Sequence, residues 1–116
     1  MDKVKVLVTG SNGLLGQKIV YQLVKRKDIE LIATAKGPNR LLKKLGYQYL
    51  ELDITNKIEV YHIFNTLQPH AVINCAAMTN VDACELNQED CWNINVKAVE
   101  YIATASESIK AHLVQL

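Results

Sequence analysis

Short runs of β-branched and aliphatic residues alternate along the chain with stretches whose apolar positions recur every three or four residues. Val4 to Val8 is one such run, ending at Thr9-Gly10; Leu31 to Ala35, Tyr47 to Leu52, Ala71 to Cys75 and His112 to Leu116 are others. Runs of this length bounded by turn residues predict five strands. Between the first two, Leu15, Gly16, Ile19, Val20 and Leu23 recur at helical spacing while Gln17, Lys18, Tyr21, Gln22 and Lys25 fall on the other side. That pattern predicts an amphipathic helix packed on a sheet. Arg40 to Lys44 predicts a short second helix stopped by Gly46. Val60, Ile63, Phe64 and Leu67 predict a third that ends before Pro69, with Asn56 followed by Glu59 at its N-terminal cap. From about Gln88 to Ser108, Trp92, Val96, Val99 and Ala103 predict the buried face of a longer helix.

Strand and helix therefore alternate throughout, joined by short loops. Right-handed crossovers then place helices on both faces of a parallel sheet, which makes the expected fold α/β, Rossmann-like and doubly wound. There is no internal repeat, linker or low-complexity tract, so residues 1–116 form one unit. The last residues, His112 to Leu116, have the composition of a buried parallel strand with nothing after them to cover it. The expectation is that the chain is the N-terminal, dinucleotide-binding portion of a larger single-domain or two-lobed protein, with the C-terminal part of the fold missing.

Composition narrows the classes of function. The 116 residues carry 13 Lys+Arg against 12 Asp+Glu, a net charge of +1, with 49% apolar residues. That balance supplies no broad basic surface for a nucleic-acid backbone. Lys25-Arg26-Lys27 and Lys43-Lys44 sit where helix ends are expected and read as solvated faces. No apolar run reaches the ~20 residues that a membrane-crossing helix needs, and the first residues lead directly into a strand pattern rather than a signal peptide. A cytoplasmic protein with no membrane or nucleic-acid partner is expected. Cys75, Cys84 and Cys91 form no Cys-x-x-Cys pair and stand at no metal-ligand spacing with a histidine, so they read as reduced, small apolar residues and no metal is expected.

The chemistry lies in Thr9-Gly10-Ser11-Asn12-Gly13-Leu14-Leu15-Gly16, between the first strand and the first helix. Gly10 can leave the strand in a tight turn, Gly13 lets a pyrophosphate approach the backbone, and Gly16 lets the helix lie close to the sheet. The phosphates would meet the free N–H groups and the positive end of the helix dipole. The bland alternative is a glycine-rich turn without a ligand; strand, motif and helix in register favour dinucleotide binding. Glu30 is about the right count from the glycines to hold a ribose 2′-hydroxyl, but it precedes the second strand and so lies at the wrong edge. At the carboxyl end stand Lys36 and, shortly after, Arg40, which can neutralise a 2′-phosphate and favour NADP, with NAD still acceptable; otherwise they are solvated loop charges. Asp53-Ile54 closes the third strand where an adenine would lie, or Asp53 only caps the following turn. Asn74-Cys75-Ala76-Ala77-Met78-Thr79 ends the fourth strand in residues small enough for a nucleotide to lie over them, though close packing also selects alanines. Asn95, in mid-helix, suggests a buried polar task, against the alternative of simple exposure.

Through the glycine motif, Asp53-Ile54, Ala76-Ala77 and Asn95-Val96, the whole chain resembles the extended short-chain dehydrogenase/reductases. Within them Val72 to Asp82, Cys84-Glu85 and Asn95 to Ala98 look most like the dTDP-4-dehydrorhamnose reductase group. The resemblance implies NADPH-dependent reduction of the 4-keto group of a deoxysugar nucleotide. It implies that Gly10, Ser11, Asn12, Gly13, Leu14 and Leu15 hold the pyrophosphate, Asp53 and Ile54 the adenine, and Ala76, Ala77 and Thr79 the ribose beside the nicotinamide. Asn95 matches a helix Asn that supports the site. The family's proton donor is the Tyr of a Tyr-x-x-x-Lys pair that follows a Ser/Thr beyond the fifth strand, and the chain ends before both, so these 116 residues alone are expected to be inactive. Tyr21-Gln-Leu-Val-Lys25 has the spacing, but on the polar side of the first helix, about 12 Å along its axis from Gly13. It reads as a coincidence. Met78 stands where these reductases often have an aromatic residue or His. The competing expectations are a non-catalytic NADP-binding subunit like the beta subunit of methionine adenosyltransferase, and a sugar-nucleotide epimerase or dehydratase. A homodimer is compatible with all three.

Overall fold

The computed structural model describes residues 3–75 and 88–116, with side chains for 3–75 and 95–116. Its described elements run β1 (Val4–Thr9), α1 (Leu14–Leu23), β2 (Ile29–Ala35), β3 (Gln48–Glu51), α2 (Lys57–Leu67), β4 (Ala71–Asn74), α3 (Gln88–Ser108) and β5 (His112–Gln115). All neighbouring strands pair in parallel, in the order β3-β2-β1-β4-β5. The chain moves outward from β1 to β3, returns across the sheet to β4 and continues to β5. This is the expected doubly wound α/β fold with a switch point between β1 and β4.

Alternation within β1 divides the core. Leu7 points to one face, where Ile32, Leu52, Val60, Phe64, Val72, Ile102 and Ala105 bury beneath α2 and α3. Val6 and Val8 point to the other, where Val20, Leu31, Ala33, Leu41 and Cys75 bury beneath α1. With both faces of β1 and β2 covered, those strands carry apolar residues at consecutive positions, as central parallel strands do.

Several expectations need correction. No helix forms at Arg40 to Lys44. Of its apolar residues Leu41 is buried, while Leu42 and Leu45 are 95% and 80% exposed, so a helix there would bury no continuous face. Its backbone N–H groups are claimed by side chains: those of Arg40, Leu41 and Leu42 donate to Asn12 Oδ1, Asn39 Oδ1 and the Tyr21 hydroxyl. In α1, Leu15 is exposed and Tyr21 is half-buried against the core, the reverse of the expected sides. In α3 the buried stripe is Ala98, Ile102 and Ala105, one position away from the expected Val99 and Ala103, with Val96 exposed. Small residues face the sheet because they allow close approach. The side chain of Trp92 lies outside the described residues. Glu30 lies inside β2, opposite Lys5, still at the amino-terminal edge. β5 is parallel as expected but not buried: His112, Val114, Gln115 and Leu116 are exposed, because among the described strands β5 has only β4 as a neighbour.

The cap of α2 matches the expected signal with one change of partner. Asn56 Oδ1 accepts from Glu59 N at 3.1 Å. Glu59 Oε1 then accepts from Asp53 N rather than from Asn56 N, which donates to Asp53 O. The box thus extends back to the end of β3.

Two glycines separate packing from backbone freedom. A Cβ on Gly16 would lie 2.1 Å from the Gly10 carbonyl oxygen, whereas one on Gly37 would meet nothing, though its φ of +82° is a left-handed conformation. Gly16→Ala should therefore cost at least about 3 kcal/mol, or prevent folding, and Gly37→Ala about 1 kcal/mol. Urea unfolding of both variants measures this; equal losses would show that α1 is not pressed against the turn.

Candidate functional site

The carboxyl ends of β1, β2 and β3 converge where the sequence places the glycine motif. Gly10 leaves β1 at φ +70°, a conformation that only glycine adopts without cost. The loop is then tied to the next strand by Ser11 N, which donates to Thr34 O at 3.0 Å. Gly13 is the N-cap of α1, in extended conformation, and makes no side-chain cap. The first turn of α1 contains no acidic residue, in contrast with α2, which has the Asn56 cap and Glu59. The leading N–H groups of a helix have no carbonyl partner within it, so α1 presents uncapped donors and the positive end of its dipole beside a residue without a side chain.

The protein itself does not force glycine at position 13. A Cβ there would stand 3.4 Å from Gly10 O, ordinary van der Waals contact. Gly16 is a glycine because helix and turn collide otherwise; Gly13 keeps clear the space in front of the donors. The side chains of Leu14 and Leu15 are exposed on either side of that approach. Ser11 is buried and its hydroxyl has no partner among the described residues, so it serves the loop through its backbone.

Asn12 is engaged more heavily than the sequence suggested. Its Nδ2 donates to Pro38 O at 3.0 Å, its Oδ1 accepts from Arg40 N at 2.8 Å, and its main-chain oxygen accepts from Gln17 Nε2 at 2.8 Å. Lys36 and Arg40 are exposed on the segment so held. From the other side the Tyr49 hydroxyl donates toward Gly37 O and Ala35 O. Burial pushes the Tyr49 phenol above the usual tyrosine range, opposed by the Asn12 side chain and the Arg40 charge. The signals for this network were a polar residue at a free motif position and a Pro-Asn step in a crossover with no helical face.

Asp53 fills the role of a turn cap: its Oδ1 accepts from Thr55 N at 3.0 Å and from Thr55 Oγ1 at 2.6 Å. Ile54 packs partly against the core beneath α2. The Thr55 hydroxyl bond holds the Asp53 carboxyl below the usual carboxylate range, with its N–H and the Lys36 charge adding to it and burial opposing. Lys36 and Asp53 are thus electrostatic neighbours, as adjacent strand ends require. At the switch point a polar ladder was missed. Thr9 Oγ1 donates to Asn74 Oδ1 at 2.5 Å, and Asn74 Nδ2 donates to Gln115 Oε1 at 2.9 Å, joining β1, β4 and β5 in register. An Asn ending an otherwise apolar strand was the signal, since a buried amide needs partners.

Tyr21 does not join the glycine loop: its hydroxyl accepts from Leu42 N at 3.2 Å, in the crossover. Asn95 is half-buried. Ala76, Ala77, Met78, Thr79 and Cys84 lie outside the described residues, as does the side chain of Cys91. Cys75 is buried with a free thiol, which burial pushes up in pKa. Among the described residues no cluster of His, Cys, Asp and Glu could hold a metal ion, and no helix is long and apolar enough to cross a membrane.

The model of the RmlD substrate binding domain family matches residues 4–116. A dTDP-4-dehydrorhamnose reductase from Aggregatibacter actinomycetemcomitans is 34% identical over 102 residues, which cover 88% of this chain and 30% of that protein. The beta subunit of methionine adenosyltransferase 2 from Danio rerio is 32% identical over 99 residues, 85% of this chain and 28% of that protein. Among solved structures, a dTDP-4-dehydrorhamnose reductase from Clostridium acetobutylicum superposes with a TM-score of 0.74 at 39% identity, covering 97% of this chain and 35% of that one. The chain spans about a third of the length of the relatives it matches.

Thr55→Val should raise the Asp53 carboxyl pKa toward its ordinary value. The sign follows from linkage: a carboxyl depressed by folding adds stability above its unfolded pKa and loses it as pH falls through the folded value. Carboxyl titration by carbon NMR reads the change directly. An unmoved Asp53 in the variant would show that the Thr55 hydroxyl is not what depresses it.

Proposed function

The chain belongs to the RmlD substrate binding domain family, and on that premise we propose that it holds the cofactor of an NADPH-dependent reductase acting on the 4-keto group of a deoxysugar nucleotide. One observation carries the reading: uncapped donors at the start of α1 face a position, Gly13, that the protein's own packing does not require to be glycine. A pyrophosphate accounts for both. The described residues accord with its pyrophosphate and adenosine parts. Lys36 and Arg40 stand exposed after β2 for a 2′-phosphate, and Asp53, two residues beyond β3, has one carboxylate oxygen committed to Thr55 and Oδ2 not engaged by a described residue. By resemblance Ala76, Ala77 and Thr79 complete the path toward the nicotinamide.

Bound there, the dinucleotide supplies hydride. This chain would bind and orient it; the accompanying proton has to come from a different group, because Tyr21, the tyrosine with a lysine four residues on, has its hydroxyl in the crossover beside Leu42 N, away from the glycine loop. Residues 1–116 on their own should therefore bind cofactor without turnover. A cytoplasmic location is part of the same proposal. The similarity to the methionine adenosyltransferase beta subunit sustains a second reading, a regulatory subunit that uses the same cofactor site without catalysis.

Gly13→Val should weaken NADPH binding by at least about a hundredfold, since the branched side chain occupies the phosphate approach. Lys36→Ala with Arg40→Ala should lose about ten- to a hundredfold in NADPH affinity, the scale of a charge-assisted hydrogen bond, and little for NADH. Fluorescence titration of the full chain with each cofactor tests both. Unchanged NADPH affinity in Gly13→Val would refute the site. Reduction of dTDP-4-keto-6-deoxy-L-mannose by the whole protein, followed by NADPH absorbance, separates the reductase from the regulatory subunit.

A further inference from the structure

The segment after β2 that carries Lys36 and Arg40 has no helix or strand of its own to hold it. Gly37 at its centre has φ +82° and open space around it, so packing does not fix the turn there. Side-chain hydrogen bonds fix it from two directions. Asn12, inside the glycine loop, grips Pro38 O and Arg40 N at 3.0 and 2.8 Å. Tyr49, on β3, reaches Gly37 O at 2.5 Å and Ala35 O at 3.2 Å. Gln17 in turn holds the Asn12 carbonyl at 2.8 Å, so the clamp is anchored on α1.

We infer that Asn12 and Tyr49 are positioning residues for cofactor choice: they fix the Lys36–Arg40 segment against the glycine loop, so that the two cations meet a 2′-phosphate at a set distance from the pyrophosphate donors. The inference rests on the proposed dinucleotide site and adds to it. The 2′-phosphate and the 5′-pyrophosphate hang from one ribose and so span a limited range of separations, and discrimination then depends on how rigidly the two protein elements are spaced, not only on their charge. A flexible segment would still bring cations to the phosphate, but at the entropic cost of ordering it on each binding event. Asn12 is suited to the task because its amide offers both a donor and an acceptor.

The test is the ratio of NADPH to NADH affinity in the full chain, measured by calorimetry for the wild type, Asn12→Ala, Tyr49→Phe, the Lys36→Ala/Arg40→Ala double variant, and that pair combined with Asn12→Ala. The ratio should fall about tenfold in Asn12→Ala and several-fold in Tyr49→Phe, the scale on which one charge-assisted contact acts. The Lys36/Arg40 pair should matter much less once Asn12 is gone, a non-additivity that a general loss of stability does not produce. Tyr49→Phe leaves the glycine loop intact and decides the matter where Asn12→Ala does not fold. If the wild type prefers NADPH, a ratio unchanged in both clamp variants, or strict additivity, overturns this inference and leaves the cofactor site standing. No preference in the wild type overturns the NADPH reading and the clamp together, and no binding of either cofactor overturns the dinucleotide site itself.

Discussion

The contact between α1 and the turn that precedes it sets the geometry of the whole carboxyl edge. Helix and turn approach so closely that a single methyl group on Gly16 would lie 2.1 Å from the Gly10 carbonyl oxygen. That approach brings the start of α1 over the end of β1, between β2 and β4. Every other candidate group is then placed relative to the helix start: the β2 end through Ser11 N, the crossover through Asn12, and β4 through its register with Thr9. Loss of this contact would move the donors away from the carboxyl ends of β1 and β2.

The opposite side of β1 holds its position by a different means. Thr9, Asn74 and Gln115 lie in register across three strands and hydrogen-bond in sequence, while Thr34 Oγ1 donates to Val8 O on the β2 side. Parallel strands connected by long crossovers receive no help from tight turns in fixing their register. A polar row at the strand ends supplies that help, since slippage by one residue would leave a buried amide without its partners. Apolar packing would tolerate such a slip more readily.

Fold class, strand positions and the glycine motif were legible because each rests on a local, periodic or conformational signal. Thr9-Gly10 ends a β-branched run, and the Asn56-Glu59 spacing announces the start of α2. What was not legible depended on partners distant in sequence. The Arg40–Lys44 segment contains helix-forming residues, yet its N–H groups are taken by Asn12 and Tyr21, 28 and 21 residues away. The buried stripe of α3 was misplaced by one position because Ala98 and Ala105 are selected by closeness to the sheet, which a hydrophobicity pattern does not register. Leu15 was assigned to the core by period alone, although it stands in the first turn of α1 and is exposed. Asp53 kept both of its readings, since a carboxylate that caps its own turn through one oxygen retains another.

Lys36 has the most divided position. Its charge helps to hold the Asp53 carboxyl down, so it stands close enough to the end of β3 to act on that group as well as on anything beside Arg40. A 2′-phosphate bound by Lys36 would then share its cation with a carboxylate, and the two anions would repel across a solvated gap. Both are exposed to solvent in part, so screening weakens the repulsion without removing it. Arg40 makes no ion pair among the described residues: its backbone is held by Asn12, and its exposed side chain offers two parallel donors. If the proposed cofactor binds, Arg40 would on electrostatic grounds make the stronger contact with its phosphate, and Lys36 would balance charge between the phosphate and Asp53. On that reading the tether on Arg40 N, rather than the number of cations after β2, would fix the direction from which a phosphate is met.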